Sequence, residues 1–402
     1  MEKNLKALLV LILMSAFAFG QMPKSIEITA GDHDLYMVPV RVELKNPIST
    51  GKQYQLVNEK TKFKIPAQAL DSFTLVFIAK EKITRGATAT YSLIASKEIK
   101  PGSTPVTIKS NDEGLLVTVK GKPVFFYHTK EVMPPPDSPL YYKRSGFIHP
   151  LYSPDGKILT DDFPLGHVHQ HAIFMTWVNT TFKGEALDFW NQQLQKGTVE
   201  HISVEKIQQG PVAAQLELRL RHKSLKYGEV LNEIWKITVY PFADYFLFDF
   251  ESAQTNTTAD TLFLNQYHYG GLAFRGSRSW NPDDKMHFEK SWHILTSENI
   301  LDTLANHTHA SWVDAWGNIE GKIEGASVFC DPGNFRYPQS IRVHPNLPYW
   351  AYAPVVDGAF YIAPKAVYRS RYRYFVHSGV ATKEELENRF QQFADRPLIK
   401  IR

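Results

Sequence analysis

Ala214-Gln215-Leu216-Glu217-Leu218-Arg219-Leu220-Arg221 settles the fold class, because its leucines occupy every second position against polar neighbours. An extended chain sends alternate side chains to opposite faces, so this segment reads as a strand with one buried and one solvated side. Tyr245 to Glu251 repeats the pattern with Phe246, Phe248 and Phe250 on one face, and Ile234 to Tyr240 and Thr261 to Phe274 continue it. Helical periodicity is confined to Thr382 to Ala394. There Thr382 stands as N-cap, Glu385 at the capping-box position, and Leu386, Phe390 and Phe393 form one stripe. The chain is predicted to be all-β.

Its 402 residues exceed what one hydrophobic core usually serves, so two domains are expected. Residues 24–104 read as a small β-sandwich with strands at Tyr36 to Leu44, Phe73 to Ala79 and Ala89 to Ile94, left through the turn-forming Ile99-Lys100-Pro101-Gly102-Ser103. Residues 105–402 read as one large two-sheet β-supersandwich that holds the candidate site. Residues 1–20 have the form of a signal peptide: Lys3 and Lys6, an apolar run from Ala7 to Met14, then small residues. A periplasmic or secreted protein is expected, with no membrane insertion, since the apolar run is too short to be favoured as an anchor. No Cys follows the leader, which argues against a lipid anchor there.

Without residues 1–20 the formal charge moves from +4 to +3, a balance that predicts no nucleic-acid partner. The single Cys330 cannot form an intrachain disulfide and is expected to be buried.

Four of the 15 histidines fall between His149 and His171, three of them in Gly166-His167-Val168-His169-Gln170-His171. On an extended backbone His167, His169 and His171 would share one face and could chelate a divalent metal such as zinc. The alternative is a polar cleft in which imidazoles bind substrate. Asp188-Phe189-Trp190-Asn191 places a carboxylate and an amide beside aromatic rings, as saccharide sites do. His268 and Arg275 flank a Gly270-Gly271 pair that permits close backbone approach. Asp314 and Asp331 are the best carboxylate pair, with Arg336 nearby, and Arg369, Arg371 and Arg373 alternate onto one face. No nucleophile elbow, phosphate-binding glycine loop, dinucleotide fingerprint or zincin helix occurs, which disfavours those chemistries.

Together these segments resemble the PmoA-like (DUF6807) family of secreted bacterial proteins. The resemblance is carried by Phe147-Ile148-His149-Pro150-Leu151-Tyr152-Ser153-Pro154-Asp155-Gly156, Asp162-Phe163-Pro164 before His167-Val168-His169, Asp188-Phe189-Trp190, Gly270 to Arg275, Trp312-Val313-Asp314 and Tyr372-Arg373-Tyr374. Gly166, His171-Ala172 and Asp331 depart from the family pattern and point to a variant substrate or chemistry. The resemblance implies a fold like the galactose-mutarotase type and a role in saccharide metabolism.

Two functions stay open. The first is a carbohydrate-active hydrolase, lyase or epimerase acting on a small saccharide or glycoside. It would use His167, His169, Asp188, His268 and Asp314 for acid/base chemistry, and His149, Trp190, Asn191, Arg275 and Arg336 for binding. The second is a non-catalytic sugar-binding or scaffold protein.

Overall fold

The computed structural model describes residues 23–96 and 104–402; the predicted leader and the turn at 99–103 lie outside the described residues. The protein is all-β, with a single α-helix among the described residues. Two large antiparallel sheets face each other. A nine-stranded sheet runs from Val106–Ser110 at one edge through Ile173–Thr176, Gly271–Arg275 and Tyr349–Tyr352 to His309–Ala310. An eight-stranded sheet runs from Gly197–Gln209 through Ala214–Ser224 and Phe246–Asn256 to His293–Thr296.

Alternation builds the core between them. Leu216, Leu218 and Leu220 are buried together with Phe248 and Phe250, and Phe125 of the nine-stranded sheet meets Phe248 with ring centroids 5.4 Å apart. Each fully buried leucine or phenylalanine contributes about 1.5–3 kcal/mol relative to exposure. Cys330 is buried in this core, and burial pushes its thiol up to about 12.

The N-terminal strands pack as a sandwich whose two faces belong to one seven-stranded sheet. Val40 and Val42 near one edge share a core cluster with Ile26 and Ile28 near the other, so the sheet curls over itself. One boundary differs from the sequence reading. Leu398–Ile401, expected in the large domain, pairs antiparallel with Ile26–Thr29 and closes the N-terminal sheet. Ile399 and Ile401 have apolar cover only there.

The helix Lys383–Ala394 starts where capping predicts, with Thr382 Oγ1 accepting from the Glu385 amide at 3.1 Å. Its stripe of Leu386, Phe390 and Phe393 joins Val76 and Ile78 of the N-terminal sheet in covering the outer face of the eight-stranded sheet. That cover corrects the reading of Tyr245 to Glu251 as half-solvated: Leu247 and Asp249 are buried along with Phe246, Phe248 and Phe250. Among the described residues no helix is long and apolar enough to cross a membrane.

Candidate functional site

The site is built on the outer face of the nine-stranded sheet. Phe174 pairs with Ala273, Ala273 with Ala351, and Ala351 with Arg342, so these four side chains form one row across four strands. The two alanines leave space between Phe174 and Arg342. Trp190 packs over them, with Phe174 at 4.7 Å and Tyr349 at 6.0 Å between ring centroids. The result is a cavity of about 280 Å³.

Histidines close the cavity from one side. His167 to Gln170 is not extended: the His167 amide bonds Pro164 O at 3.1 Å and the Gln170 amide bonds His167 O at 3.0 Å. Gly166 has φ +84°, a conformation that strains any other residue, and a Cβ there would push on Asp283 Oδ2 at 2.4 Å. These turns bring His167 and His169 to 5.6 Å between ring centroids, while Ala172, at φ 52°, carries the chain into the strand. His344 follows the strand Gln339–Val343 and lies 5.1 Å from His167. Its Nδ1 accepts from the amides of Asn346 (3.2 Å) and Leu347 (3.1 Å), so the neutral ring carries its proton on Nε2.

Burial, reinforced by like charge, holds these imidazoles neutral. His169 is pushed down to about 3 and His344 to about 4, and His167 and His268 are also lowered, desolvation being the largest cause in each case. Arg275 stands behind the cavity wall, where Nη1 donates to Gln170 Oε1 at 3.1 Å. Its Nε and Nη2 have no protein partner, and burial lowers its guanidinium to about 10. No Asp or Glu lines the cavity.

The structure therefore gathers His167, His169, Trp190, Asn191 and His268 at one cavity, with Arg275 behind it. It separates the rest. His171 is fully buried with both ring nitrogens engaged, Nδ1 with Asp162 at 2.8 Å and Nε2 with Gln192 at 2.9 Å, so the expected three-histidine metal set does not form. Among the described residues no three His, Cys, Asp or Glu side chains are placed to hold a metal ion.

Asp188 does not partner a histidine. Its Oδ1 accepts from the amides of Trp190 (2.8 Å) and Asn191 (2.7 Å), and Oδ2 accepts from Asn191 Nδ2 (2.8 Å), which makes it the clamp of that turn. Asp314 lies in the eight-stranded sheet, where its Oδ1 bonds Ser327 and His377. Arg336 donates to the carbonyls of Pro354 and Gly358, both at 2.6 Å. His149 bonds Thr160 Oγ1 at 3.1 Å in a second polar layer, and burial takes it down to about 4.

That layer has a defined protonation. Gln192 Nε2 donates to Lys143 O at 2.9 Å, which turns its Oε1 toward His171 and places the imidazole proton on Nε2. The neutral ring then offers only a lone pair at Nδ1, so Asp162 must be the donor. Burial raises the Asp162 carboxyl to about 7, in agreement with a neutral acid.

His344, Arg342 and Tyr349 were missed by sequence reasoning. Arg342 had a signal: it stands between the inward Ile341 and Val343, so period two puts it on the outer face. His344, in a Pro-flanked turn, had none.

A family model described as a family of unknown function, DUF6807, matches residues 99–391. A search of curated proteins finds no match to the sequence. Among solved structures, an α-mannosidase from Enterococcus faecalis V583 aligns at TM-score 0.44 and 10% identity over 94% of this chain and 46% of that one, so this chain spans about half its length. Heparan sulfate lyase HepC from Pedobacter heparinus aligns at TM-score 0.33 and 10% identity over 72% of this chain and 38% of that one. A galactose mutarotase related enzyme from Lactobacillus acidophilus aligns at TM-score 0.26 and 9% identity over 68% and 97%.

Proposed function

This chain belongs to the DUF6807 family, and from that membership and the chemistry of its cavity we propose that it is a carbohydrate-active protein of the periplasm or exterior. A neutral imidazole of His167 or His169 serves as proton acceptor. One observation carries the reading: four imidazoles meet aromatic, amide and guanidinium groups in a single cavity that contains no carboxylate. Glycoside hydrolysis by paired carboxylates has no groups there to perform it. Proton abstraction from a sugar carbon, the step shared by lyases and epimerases, needs a neutral base and nearby donors, both of which are present. His344 Nε2–H and Tyr349 Oη supply donors for the developing charge.

The test is turnover of a saccharide panel by purified protein and by His167→Ala and His169→Ala. Each variant should lose about 100-fold or more. Retention of full activity in both would exclude the imidazoles as the base.

Sugar binding without turnover is the second reading, and the low basicity of His169 and His344 favours it. Wild-type protein that binds a sugar and converts none would establish it.

A further inference from the structure

We propose that the cavity takes an acidic saccharide whose carboxylate is held by Arg342, with Arg275 supplying positive charge from behind Gln170. The proposal rests on the saccharide reading above and adds the substrate class.

Arg342 projects from the sheet floor and lines the cavity. Its one side-chain partner is the neutral amide of Asn306, at 3.0 Å from Nη1, and no carboxylate lies within ion-pair distance. Arg371 and Arg373, between the N-terminal and eight-stranded sheets, each hold a carboxylate, whereas Arg144, fully buried over the Phe174 ring, also has no ion pair. Arg275 is fully buried and also lacks an ion pair. Asp161 and Asp283 act on it only at longer range, beyond ion-pair distance. A buried guanidinium without an anion is costly, and a carboxylate seated in the cavity offsets that cost for Arg275 while meeting Arg342 directly.

The remaining groups fit a sugar acid. His167 Nδ1 and Tyr349 Oη are buried without protein partners, and both can meet ring hydroxyls. Trp190 and Tyr269, 5.1 Å apart between centroids, offer apolar ring surface. The volume, about 280 Å³, lies at the small end of the range for small-molecule sites, which suits a single sugar ring rather than a chain. Neutral sugars could use the same hydroxyl contacts. They would leave both guanidinium groups without an anion.

The discriminating experiment is calorimetric titration of the full protein with glucuronate and galacturonate against glucose and galactose, repeated with Arg342→Gln and Arg342→Lys. The acids should bind at least about tenfold tighter than their neutral counterparts, the scale of one charge-assisted contact. Arg342→Gln should collapse that ratio, and Arg342→Lys should restore part of it. Neutral sugars binding as tightly as the acids would overturn the substrate class and leave the saccharide reading standing. A ratio unchanged in Arg342→Gln would overturn the role of Arg342, whether or not the variant is somewhat less stable. Failure of all four sugars to bind would count against both.

Discussion

Two regions of this molecule collect arginines in buried positions, and they are finished differently. Between the N-terminal sheet and the eight-stranded sheet, Asp249 accepts from Arg373 Nε at 2.6 Å, from Arg373, Arg371 and Arg41 Nη2 atoms at 3.1 Å each, and from the Tyr240 hydroxyl at 2.9 Å. Those arginines hold its carboxyl far below the usual carboxylate range. Arg41 also reaches Glu251 and Arg371 reaches Asp331, so every cation there has an anion. At the histidine cavity, Arg342 and Arg275 have amide partners and no anion within ion-pair distance. A cluster with its charges matched internally joins structural units; one with unmatched donors around a cavity is ready for a ligand.

The sharpest way to break the comparison is to remove Asp249. Asp249→Ala leaves three arginines without their shared counter-charge and should cost about 3–5 kcal/mol in urea unfolding. A loss below about 1 kcal/mol would mean that the cluster does not join the units. The cavity histidines should behave in the opposite way. His167→Ala and His169→Ala should lower turnover by about 100-fold or more while moving the unfolding midpoint little. Equal damage to stability and activity would erase the distinction between the regions.

Asp162 tests the layer beneath the cavity. Folded, the neutral Asp162–His171 pair holds one titratable proton. Unfolded, between about pH 4 and 6.5, it also holds one, on the histidine, so the pair contributes no pH slope in that window. Asp162→Asn keeps a donor for His171 Nδ1 and loses the titrating carboxyl. The unfolded variant then takes up a proton below about pH 6.5 that its folded form refuses. Relative to wild type, the variant should therefore lose stability on acidification, by about 2 kcal/mol between pH 6.5 and 5. Parallel stability curves for the two proteins would show that buried His171 takes up a proton in the folded variant, against the neutral ring.

The smallest effect expected is at Asp188. Asp188→Asn retains an oxygen for the Trp190 and Asn191 amides, so turnover should stay within about tenfold of wild type, whereas Asp188→Ala should cost about 1 kcal/mol of stability and weaken sugar binding. A 100-fold loss in Asp188→Asn would make the carboxylate charge itself part of the chemistry.

Period two was readable wherever one face of a strand is buried, because alternation is a local consequence of the pleat. Leu216, Leu218 and Leu220 lie inside, and Thr382 caps the one helix for equally local reasons. The same rule extended to Ile341-Arg342-Val343 would have placed Arg342 on the outer face. It failed at Gly166 to His171, where positive φ at Phe163 and Ala172, neither of them glycine, turns the chain and sends His171 away from His167 and His169. The alternation of Tyr245 to Glu251 hid the burial of Asp249, because what covers that face comes from both ends of the chain.

The sequence by itself determined the all-β class, the helix and the aromatic and histidine content of the site, since each depends on neighbours within a few positions. The tertiary structure alone decided which of those groups meet. Sheet register set the row Phe174, Ala273, Ala351 and Arg342 side by side, brought His344 to His167, and returned Leu398–Ile401 to the first strand. Cross-strand pairing between distant segments is chosen by the fit of whole faces, and no short stretch of chain encodes that fit.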